Sequence, residues 1–376
     1  MKIVVAPASF KGSYPASEVA GMMERAIHAT DPSIDVIKLP VSDGGEGFAD
    51  CFLSRFGGVK VSTLALDPRG RPIPSYYALL PDGTAVVELA ATAGLHLAGD
   101  TPDPSTATTF GVGTLILQAA ERGCREIIVG LGGSATNDAG CGLASAIGVR
   151  FLDIDGKPFI PVGETLDKIA AIDRSGIPPM LQELPIRIAC DVTNPLSGVS
   201  GAASVFARQK GADDTMIAML DRQLRSYSAL LLHQYRFDAE FPGAGAAGGT
   251  TVALRFFLDA EIERGIDTVL EMLGFDAAMD DAAFVFTGEG KLDRQSLGGK
   301  AVAGIARRAL AKDVPCVAFA GRIEDLEVSD YPPGLTKAIA LFEAALPLPD
   351  AISATPKRLK EAIEQLLKHR KPKKTS

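Results

Sequence analysis

The sequence predicts an α/β protein in which both ends of the chain build one doubly wound, parallel-sheet domain and the middle forms a second, inserted α/β domain. Strand and helix signals alternate through the first sixty residues, and the same alternation returns after residue 280. The stretch between them follows a different pattern of hairpin and glycine-rich signals. Alternating strands and helices form parallel sheets with right-handed crossovers. The predicted domains are therefore residues 1–60 with 281–376, and residues 61–280.

Length and composition support this architecture. The 376 residues exceed the usual domain size of about 100–200 residues, so two domains are expected. With 47% hydrophobic and 22% charged residues, the composition is typical of a globular protein. The net charge of −8 argues against nucleic acid as the main partner, and the absence of eighteen consecutive apolar residues argues against a membrane span.

The cysteines and histidines limit the kinds of covalent, metal and catalytic site that the chain can form. Five scattered cysteines without a CxxC pair suit a reducing cytosol rather than a disulfide framework. Four well-separated histidines disfavour a histidine-based metal site or triad. We therefore expect a cytoplasmic protein whose partner is a small molecule, and the sequence leaves open whether it forms a homo-oligomer.

The elements of the terminal domain are short hydrophobic runs alternating with amphipathic stretches. The strand signals fall at Ile3–Ala6, Ile34–Leu39, Ala282–Thr287, Val314–Ala320 and Lys337–Phe342. The helix signals fall at Ser17–Ala29, Phe48–Phe56, Gly299–Ala311 and Pro356–His369. The N-terminus predicts a first strand and lacks the long apolar stretch of a signal peptide, and the basic end of the chain, 368–376, is typical of a solvated tail.

The inserted domain combines a hairpin signal with further strands and helices. Tyr76–Leu80 and Thr84–Leu89 flank a Pro-Asp-Gly turn, which favours a β-hairpin. A strand at Glu126–Val129 leads through the glycine-rich segment 130–142 (GLGGSATNDAGCG) to a helix signal at Leu143–Val149. A further strand is predicted at Ile186–Cys190, and the polar stretch 212–235 favours helix.

The segment 130–142 predicts either a ligand-binding loop or a helix-capping loop. Free backbone N–H groups at a helix N-terminus bind anions, and glycines allow the backbone to approach a ligand closely. Ser134, Asn137 and Asp138 add hydroxyl, amide and carboxylate groups to this segment. The same residue types are also the usual N-caps of helices, so the segment alone fits both interpretations.

Polar residues and glycines follow four strands of the terminal domain, at the sheet edge where α/β proteins bind ligands. They are Ser9 and Lys11 after the first strand, Asp43, Gly44, Gly45 and Glu46 after the second, Gly288, Glu289, Lys291, Asp293 and Lys300 after the third, and Gly321 and Arg322 after the fourth. Any one of them fits a cap or a solvated loop, whereas four such strand ends together indicate a site. Carboxylates beside lysines suit Mg²⁺-assisted phosphoryl transfer, because Mg²⁺ takes one or two carboxylates and lysine neutralises phosphate charge.

Two further segments admit two interpretations each. Asp191 could accept a proton from a substrate hydroxyl and Asn194 could bind metal or substrate, or both belong to a turn ahead of Pro195. The segment 242–249 (PGAGAAGG) formally matches GxGxxG, but the residues before it are polar and end in proline, so it indicates a dinucleotide site only weakly. The chain matches neither the P-loop nor the protein-kinase template.

Taken together and in this order, the segments resemble the bacterial glycerate kinases of the glycerate 2-kinase type. The resemblance runs nearly end to end. It rests on six motifs: APASFKGS (6–13), PVSDGGEG (40–47), GGSATNDAG (132–140), DVTNPL (191–196), PGAGAAGG (242–249), and TGEGKLD (287–293) with the Gly-Lys pair at 299–300. It implies a discontinuous flavodoxin-like domain with an inserted α/β domain and an active site in the cleft. It also implies that ATP phosphorylates D-glycerate in the presence of Mg²⁺.

The resemblance also implies roles for individual residues. Lys11 or Lys300 would hold the substrate carboxylate or the phosphates. Asp191 or Asp43 would be the base, and Glu289 or Asp293 a metal ligand. The other implied substrate- or nucleotide-binding residues are Ser9, Gly44, Gly45, Glu46, Gly132, Gly133, Ser134, Asn137, Asp138, Asn194 and Gly288. The family points to 2-phosphoglycerate, whereas the sequence by itself leaves the 2- and 3-hydroxyl groups open.

Two positions depart from the family pattern. The family often has aspartate where this chain has Ala8, and commonly arginine where Lys291 stands. A lysine keeps the charge but loses the bidentate fork of arginine, so turnover or the preferred acid could differ.

Two other functions compete with the kinase. One is a catalytically silent small-anion or nucleotide-binding protein on the same fold. The carboxylates at 43, 191, 289 and 293 favour the enzyme, because a binder of anions has no use for so many. The other is an NAD-dependent oxidoreductase, which depends on the GxGxxG match alone.

Overall fold

The structure is a computed structural model that describes residues 1–368 except 11, 43, 191, 295–300 and 344–345, and omits the side chains of 264, 265 and 268. Its strands are β1 (Lys2–Pro7), β2 (Asp35–Lys38), β3 (Val59–Leu66), β4 (Pro72–Leu79), β5 (Thr84–Glu88), β6 (Glu126–Gly130), β7 (Arg150–Leu152), β8 (Pro158–Phe159), β9 (Ala171–Asp173), β10 (Ile186–Cys190), β11 (Glu261–Arg264), β12 (Ala282–Leu292), β13 (Cys316–Ile323) and β14 (Leu335–Ala340).

The helices complete the description of the elements. They are α1 (Ala16–Thr30), α2 (Phe48–Phe56), α3 (Ala90–Ala93), α4 (Phe110–Glu121), α5 (Cys141–Ala146), α6 (Pro179–Glu183), α7 (Ala202–Phe206), α8 (Asp214–Tyr235), α9 (Thr250–Leu258), α10 (Gly265–Met272), α11 (Phe275–Ala278), α12 (Ala301–Ala311) and α13 (Leu348–Lys368). Among the described residues, every helix is too short or too polar to span a lipid bilayer.

The chain folds as two compact units: a terminal unit, Met1–Asp43 with Gly265–Ser376, and an inserted unit, Gly44–Arg264. These boundaries differ from those expected after residues 60 and 280. Helix α2 belongs to the inserted unit because it packs on β4 and β5, and Glu88 accepts hydrogen bonds from the backbone N–H groups of Gly47 and Ala49. Helix α10 belongs to the terminal unit because it packs on α12.

The terminal unit is a five-stranded parallel sheet in the order β2-β1-β12-β13-β14. Counted within the unit, this order is 2-1-3-4-5, the flavodoxin-like arrangement, and the strand order reverses between β1 and β12. Residues Ile3–Ala6 of β1 are fully buried, as expected for a strand covered on both faces of a parallel sheet.

Helices cover both faces of this sheet. On one face, Ile3 and Val5 belong to a core cluster with residues of α1 and α13. Helix α12 contacts the same central strands, and successive strand side chains point to opposite faces. The last helix was expected to begin at Pro356, but it begins at Leu348, and its buried residues Thr355, Leu359 and Ile363 continue across the proline.

The inserted unit contains a six-stranded mixed sheet in the order β3-β4-β5-β6-β10-β11. The predicted hairpin is confirmed, because β4 and β5 pair antiparallel around the Pro-Asp-Gly turn, and β5, β6, β10 and β11 are parallel. A separate antiparallel sheet, β8-β7-β9, was not predicted from the sequence. The hydrophobic core of this unit combines residues of the six-stranded sheet with residues of α4, α5, α8 and α9.

Candidate functional site

A cavity of about 380 Å³ lies at the carboxyl ends of the strands of the terminal unit, beside the point where the strand order reverses. Its polar lining residues are Ser9, Ser13, Ser42, Glu289, Lys291, Asp293, Arg322 and Thr355. Its large apolar lining residues are Phe10, Val41, Phe342, Leu346, Leu348 and Ile352. A cavity that combines an apolar surface with a few polar groups is typical of a small-molecule site. Three predicted site residues, Ser9, Glu289 and Asp293, therefore line one cavity.

The geometry of β12 explains why several of these side chains meet. The strand was expected to end at Thr287, but it continues to Leu292, with Glu289 paired to Ala320 and Lys291 paired to Arg322 of β13. Side chains two residues apart in a strand lie on the same face. Glu289 and Lys291 therefore share a face of the strand rather than lying in the loop that the sequence predicted.

The charged groups of the cavity are interlinked. The ammonium of Lys291 lies 3.1 Å from the Asp293 carboxylate and 2.9 Å from that of Glu324, and the guanidinium of Arg322 lies 3.3 Å from Glu324. The hydrogen bonds that Lys291 donates to Glu324 and Asp293 raise the pKa of Lys291 above its ordinary range. The cavity thus contains cations that can bind an anionic ligand, and beside them carboxylates that can bind a metal ion.

Not every predicted residue lies at this cavity. Gly288 is inside β12 and does not line it; a Cβ at this position would lie 2.2 Å from the carbonyl oxygen of Phe319. Gly288 therefore serves the close packing of neighbouring strands. Four predicted residues lie outside the described part of the chain: Lys11, Asp43, Asp191 and Lys300.

A second candidate site lies in the inserted unit, where the segment 131–140 connects β6 to α5. The backbone N–H of Gly132 donates to the carbonyl of Gly44 over 2.8 Å, and a Cβ on Gly132 would lie 2.5 Å from Gly45. Gly132 thus brings the backbone of this loop into direct contact with the backbone of Gly44 and Gly45. Gly133 is exposed at φ +71°, where an added Cβ would make an ordinary contact 3.7 Å from Ala90 Cβ, and Glu46 is exposed as well.

The buried polar side chains of this loop divide into two kinds. The Asp138 carboxylate accepts hydrogen bonds from Thr109 N–H and Oγ1, both 2.8 Å, and from the N–H groups of Gly140 and Gly142. Burial raises the pKa of Asp138. It holds the starts of α4 and α5 together, as in the capping interpretation. The amide atoms of Asn137 are fully buried and make no hydrogen bond within the described residues.

A lysine that the sequence did not single out lies against this loop. Lys210 is 2% exposed, and its ammonium donates to Ser134 Oγ over 2.8 Å and to the carbonyl of Thr136 over 2.6 Å. Burial lowers the pKa of Lys210 to about 7, against the attraction of Asp138. In the sequence Lys210 lies between Gln209 and Gly211, a setting that does not distinguish it from surface lysines.

Two other residues of the inserted unit have structural partners. Asn194 donates its side-chain N–H to the carbonyl of Ser200, six residues further along the chain, over 2.7 Å, so its amide nitrogen is bonded to the backbone of its own loop. Glu88, at the end of β5, accepts hydrogen bonds from Gly47 and Ala49 at the start of α2. Burial raises the pKa of Glu88 to about 7. Glu88 was not predicted from the sequence as a site residue, because it falls inside a hydrophobic strand signal.

Comparison with known proteins agrees with these observations. The model of the glycerate kinase family matches residues 3–371. The chain is 41% identical over 357 residues to a protein named glycerate kinase from Bacillus subtilis (strain 168), covering 93% of each chain. It is 40% identical over 328 residues to a protein named glycerate 2-kinase from Escherichia coli (strain K12), covering 86% of each.

A solved structure shares the fold. The crystal structure named "putative glycerate kinase 2" from Salmonella typhimurium LT2 superposes with a TM-score of 0.85 at 36% identity, and the match covers 97% of each chain. The discontinuous flavodoxin-like domain with an inserted α/β domain is thus an arrangement shared with a relative. The chain belongs to the glycerate kinase family.

Proposed function

We propose that this protein is an ATP-dependent kinase of D-glycerate that acts in the cytoplasm and forms 2-phosphoglycerate. The observation that carries the proposal is the cavity of the terminal unit, which combines Lys291 and Arg322 with Glu289 and Asp293. Transfer of a phosphoryl group to an organic acid requires cations for anionic substrates and oxygen ligands for a metal ion. The names of the relatives support glycerate as the acceptor.

The donor chemistry of the cavity fits Mg²⁺ held jointly by protein and substrate. Within the described residues, no group of three or more His, Cys, Asp or Glu residues is placed to hold a metal ion. Mg²⁺ needs only one or two carboxylates when substrate phosphates and water supply its other ligands. We propose Glu289 and Asp293 for this role. The ion would supply charge neutralisation on the transferred phosphoryl group.

We propose that the loop 132–138 binds the phosphates of ATP. In support, Gly133 exposes its backbone at a left-handed φ, and the buried amide of Asn137 has no hydrogen-bond partner among the described residues. A buried amide without a partner is costly, which favours a ligand that satisfies it.

The proposed proton transfers rest on resemblance and chemistry. A hydroxyl that attacks a phosphoryl group must lose its proton, and a carboxylate within hydrogen-bond reach can accept it. We propose Asp191 or Asp43 for this step, and Lys11 or Lys300 for the glycerate carboxylate or the phosphates.

The deciding experiment measures ADP release with D-glycerate and Mg·ATP in a coupled assay, followed by phosphorus NMR of the product. We expect ADP release that depends on D-glycerate, and a phosphorus signal split by the C2 proton of the product. Asp191→Asn should remove turnover while leaving the thermal unfolding curve unchanged. Binding of ATP without any ADP release would indicate a catalytically silent binding protein, and a 3-phosphorylated product would contradict the proposed regiochemistry.

A further inference from the structure

The inserted unit buries a cation directly behind its glycine-rich loop. The Lys210 ammonium contacts the loop at two points, Ser134 Oγ and the Thr136 carbonyl. The second of these points directly precedes Asn137 in the chain. Both acceptors come from the predicted ligand loop. The position of the Lys210 side chain therefore sets the position of the loop.

The backbone around Lys210 is itself fixed. Gly211 has φ +100°, and a Cβ there would lie 2.1 Å from the carbonyl oxygen of Pro102, so a close approach to residue 102 holds this turn. The N–H groups of Lys210 and Ala212 both bond the carbonyl of Ala207. Asp213 then caps helix α8 by accepting from Met216 N–H. The lysine thus projects from an anchored turn.

A buried ammonium is an expensive way to hold a loop. Desolvation opposes the charge, and an apolar side chain of similar volume would fill the space without that cost. Among the described residues, the ionisable group whose charge acts on Lys210 is Asp138, and its carboxylate is already occupied by four hydrogen bonds from protein donors. The positive charge of Lys210, on the buried side of the loop, also favours an anion bound at the exposed side.

We propose that Lys210 is a positioning residue that holds Ser134 and Thr136, so that the loop 132–138 can bind an anionic group of a substrate. The inference rests on the proposed function, since it assigns the loop to an anionic substrate. Lys210 itself need not touch the substrate, because its ammonium is committed to the loop. Its removal should therefore impair substrate use more than it impairs folding.

The test compares K210M, which keeps the stem without the charge, with K210R and with K168M, a matched change at an exposed lysine of the same unit. The kcat and the separate KM values for ATP and D-glycerate are measured from pH 6 to pH 9, with thermal unfolding alongside. We expect K210M to lower kcat/KM for at least one substrate by about tenfold or more. K210R should recover part of this loss, and K168M should match the wild type.

The pH profile gives a readout that a merely structural lysine would not move. In the wild type, kcat/KM should change near pH 7, where the ammonium titrates, and K210M should lack this change. A folded K210M with kcat and both KM values within about twofold of the wild type would overturn the proposal. If K210M does not fold, K210Q takes its place under the same criteria.

Failure of the inference is distinguishable from failure of the proposed function. If the wild type releases no ADP with D-glycerate, the proposed function fails. Lys210 is then tested through binding of ATP alone by calorimetry. An affinity of K210M about tenfold weaker than that of the wild type supports the positioning role, and equal affinities overturn it.

Discussion

The hydroxyl of Tyr14 donates a 2.9 Å hydrogen bond to the backbone carbonyl of Ile352 in helix α13. Pro356 lies four residues further on and has no N–H to offer this carbonyl. Tyr14 therefore replaces the helical hydrogen bond that the proline removes. It also ties the segment after β1, which carries Ser9, to a helix that lines the same cavity.

Tyr14→Phe should destabilise the terminal unit by about 1 kcal/mol, because the Ile352 carbonyl loses its partner. The measurement is a fall in Tm or in the urea midpoint. Tyr331→Phe is the matched control, since its hydroxyl makes no hydrogen bond within the described residues. Equal unfolding midpoints for the wild type and Tyr14→Phe would show that the carbonyl finds another partner.

Gly132→Ala should destabilise the inserted unit by about 1–3 kcal/mol, because its Cβ would overlap Gly45, 2.5 Å away. Gly133→Asn is the control, because an added Cβ there would make only an ordinary contact, 3.7 Å from Ala90 Cβ, and asparagine tolerates a positive φ. Thermal unfolding of the two variants checks the difference. Similar losses in both would contradict the assignment of the Gly132→Ala loss to the close approach of Gly45.

Glu88 should make the stability of the inserted unit fall as pH rises from about 4.5 to about 7. An acid whose pKa is raised in the folded state binds its proton more tightly there, so its favourable contribution is complete below pH 4.5 and is lost above about pH 7. Glu88→Gln, which does not titrate, should gain up to about 3 kcal/mol relative to the wild type across this range. The measurement is Tm against pH, with the exposed Glu121→Gln as control. Parallel curves for the wild type and Glu88→Gln would contradict the raised pKa.

Lys210 should have the opposite effect on stability at higher pH. Its pKa is lowered to about 7 in the folded state, so the unfolded chain binds more protons between about pH 7 and pH 10.5. The stability of the wild type relative to K210M should therefore rise across this interval, by an amount on the order of 5 kcal/mol. Unfolding by urea at several pH values tests this, and a difference independent of pH would show that Lys210 titrates normally.

Glu289→Gln and Asp293→Asn should each raise the Mg²⁺ concentration that gives half-maximal ADP release, because each removes a carboxylate from the cavity. The effect on the KM for D-glycerate should be smaller. Glu18→Gln, on the exposed side of α1, is the control. An unchanged Mg²⁺ requirement in both cavity variants would place the metal ion on other ligands.

The sequence contained enough information to predict the sheet of the terminal unit, because each strand is a short hydrophobic run. The hairpin of β4 and β5 was predictable from its local turn. The extension of β12 to Leu292 was not, since residues 288–291 are glycines and charged residues, and their strand conformation depends on pairing with β13. The local hydrophobic pattern of a sequence indicates which residues are buried. It does not show pairing with a strand that comes later in the chain, on which this extension depends.

The carboxylates at the end of β12 could be predicted from the sequence, whereas the buried charged residues that hold the loops in place could not. Glu289 and Asp293 line the cavity as expected. Lys210 and Glu88 escaped prediction because a buried charge has no local signature and depends on partners far away in the chain. Asp138 and Asn194 show the converse, since residue types that suit a ligand also suit turns and caps.

The position of β1 between β2 and β12 has a consequence for how the chain acquires its structure during synthesis. Residues 44–264 emerge from the ribosome between the two parts of the terminal unit and form a compact unit with its own core. The inserted unit can therefore fold first, as domains generally do during synthesis. Until residues 282–292 are made, β1 has only β2 beside it and exposes an unpaired hydrophobic edge, so nascent chains are most vulnerable to aggregation in that interval.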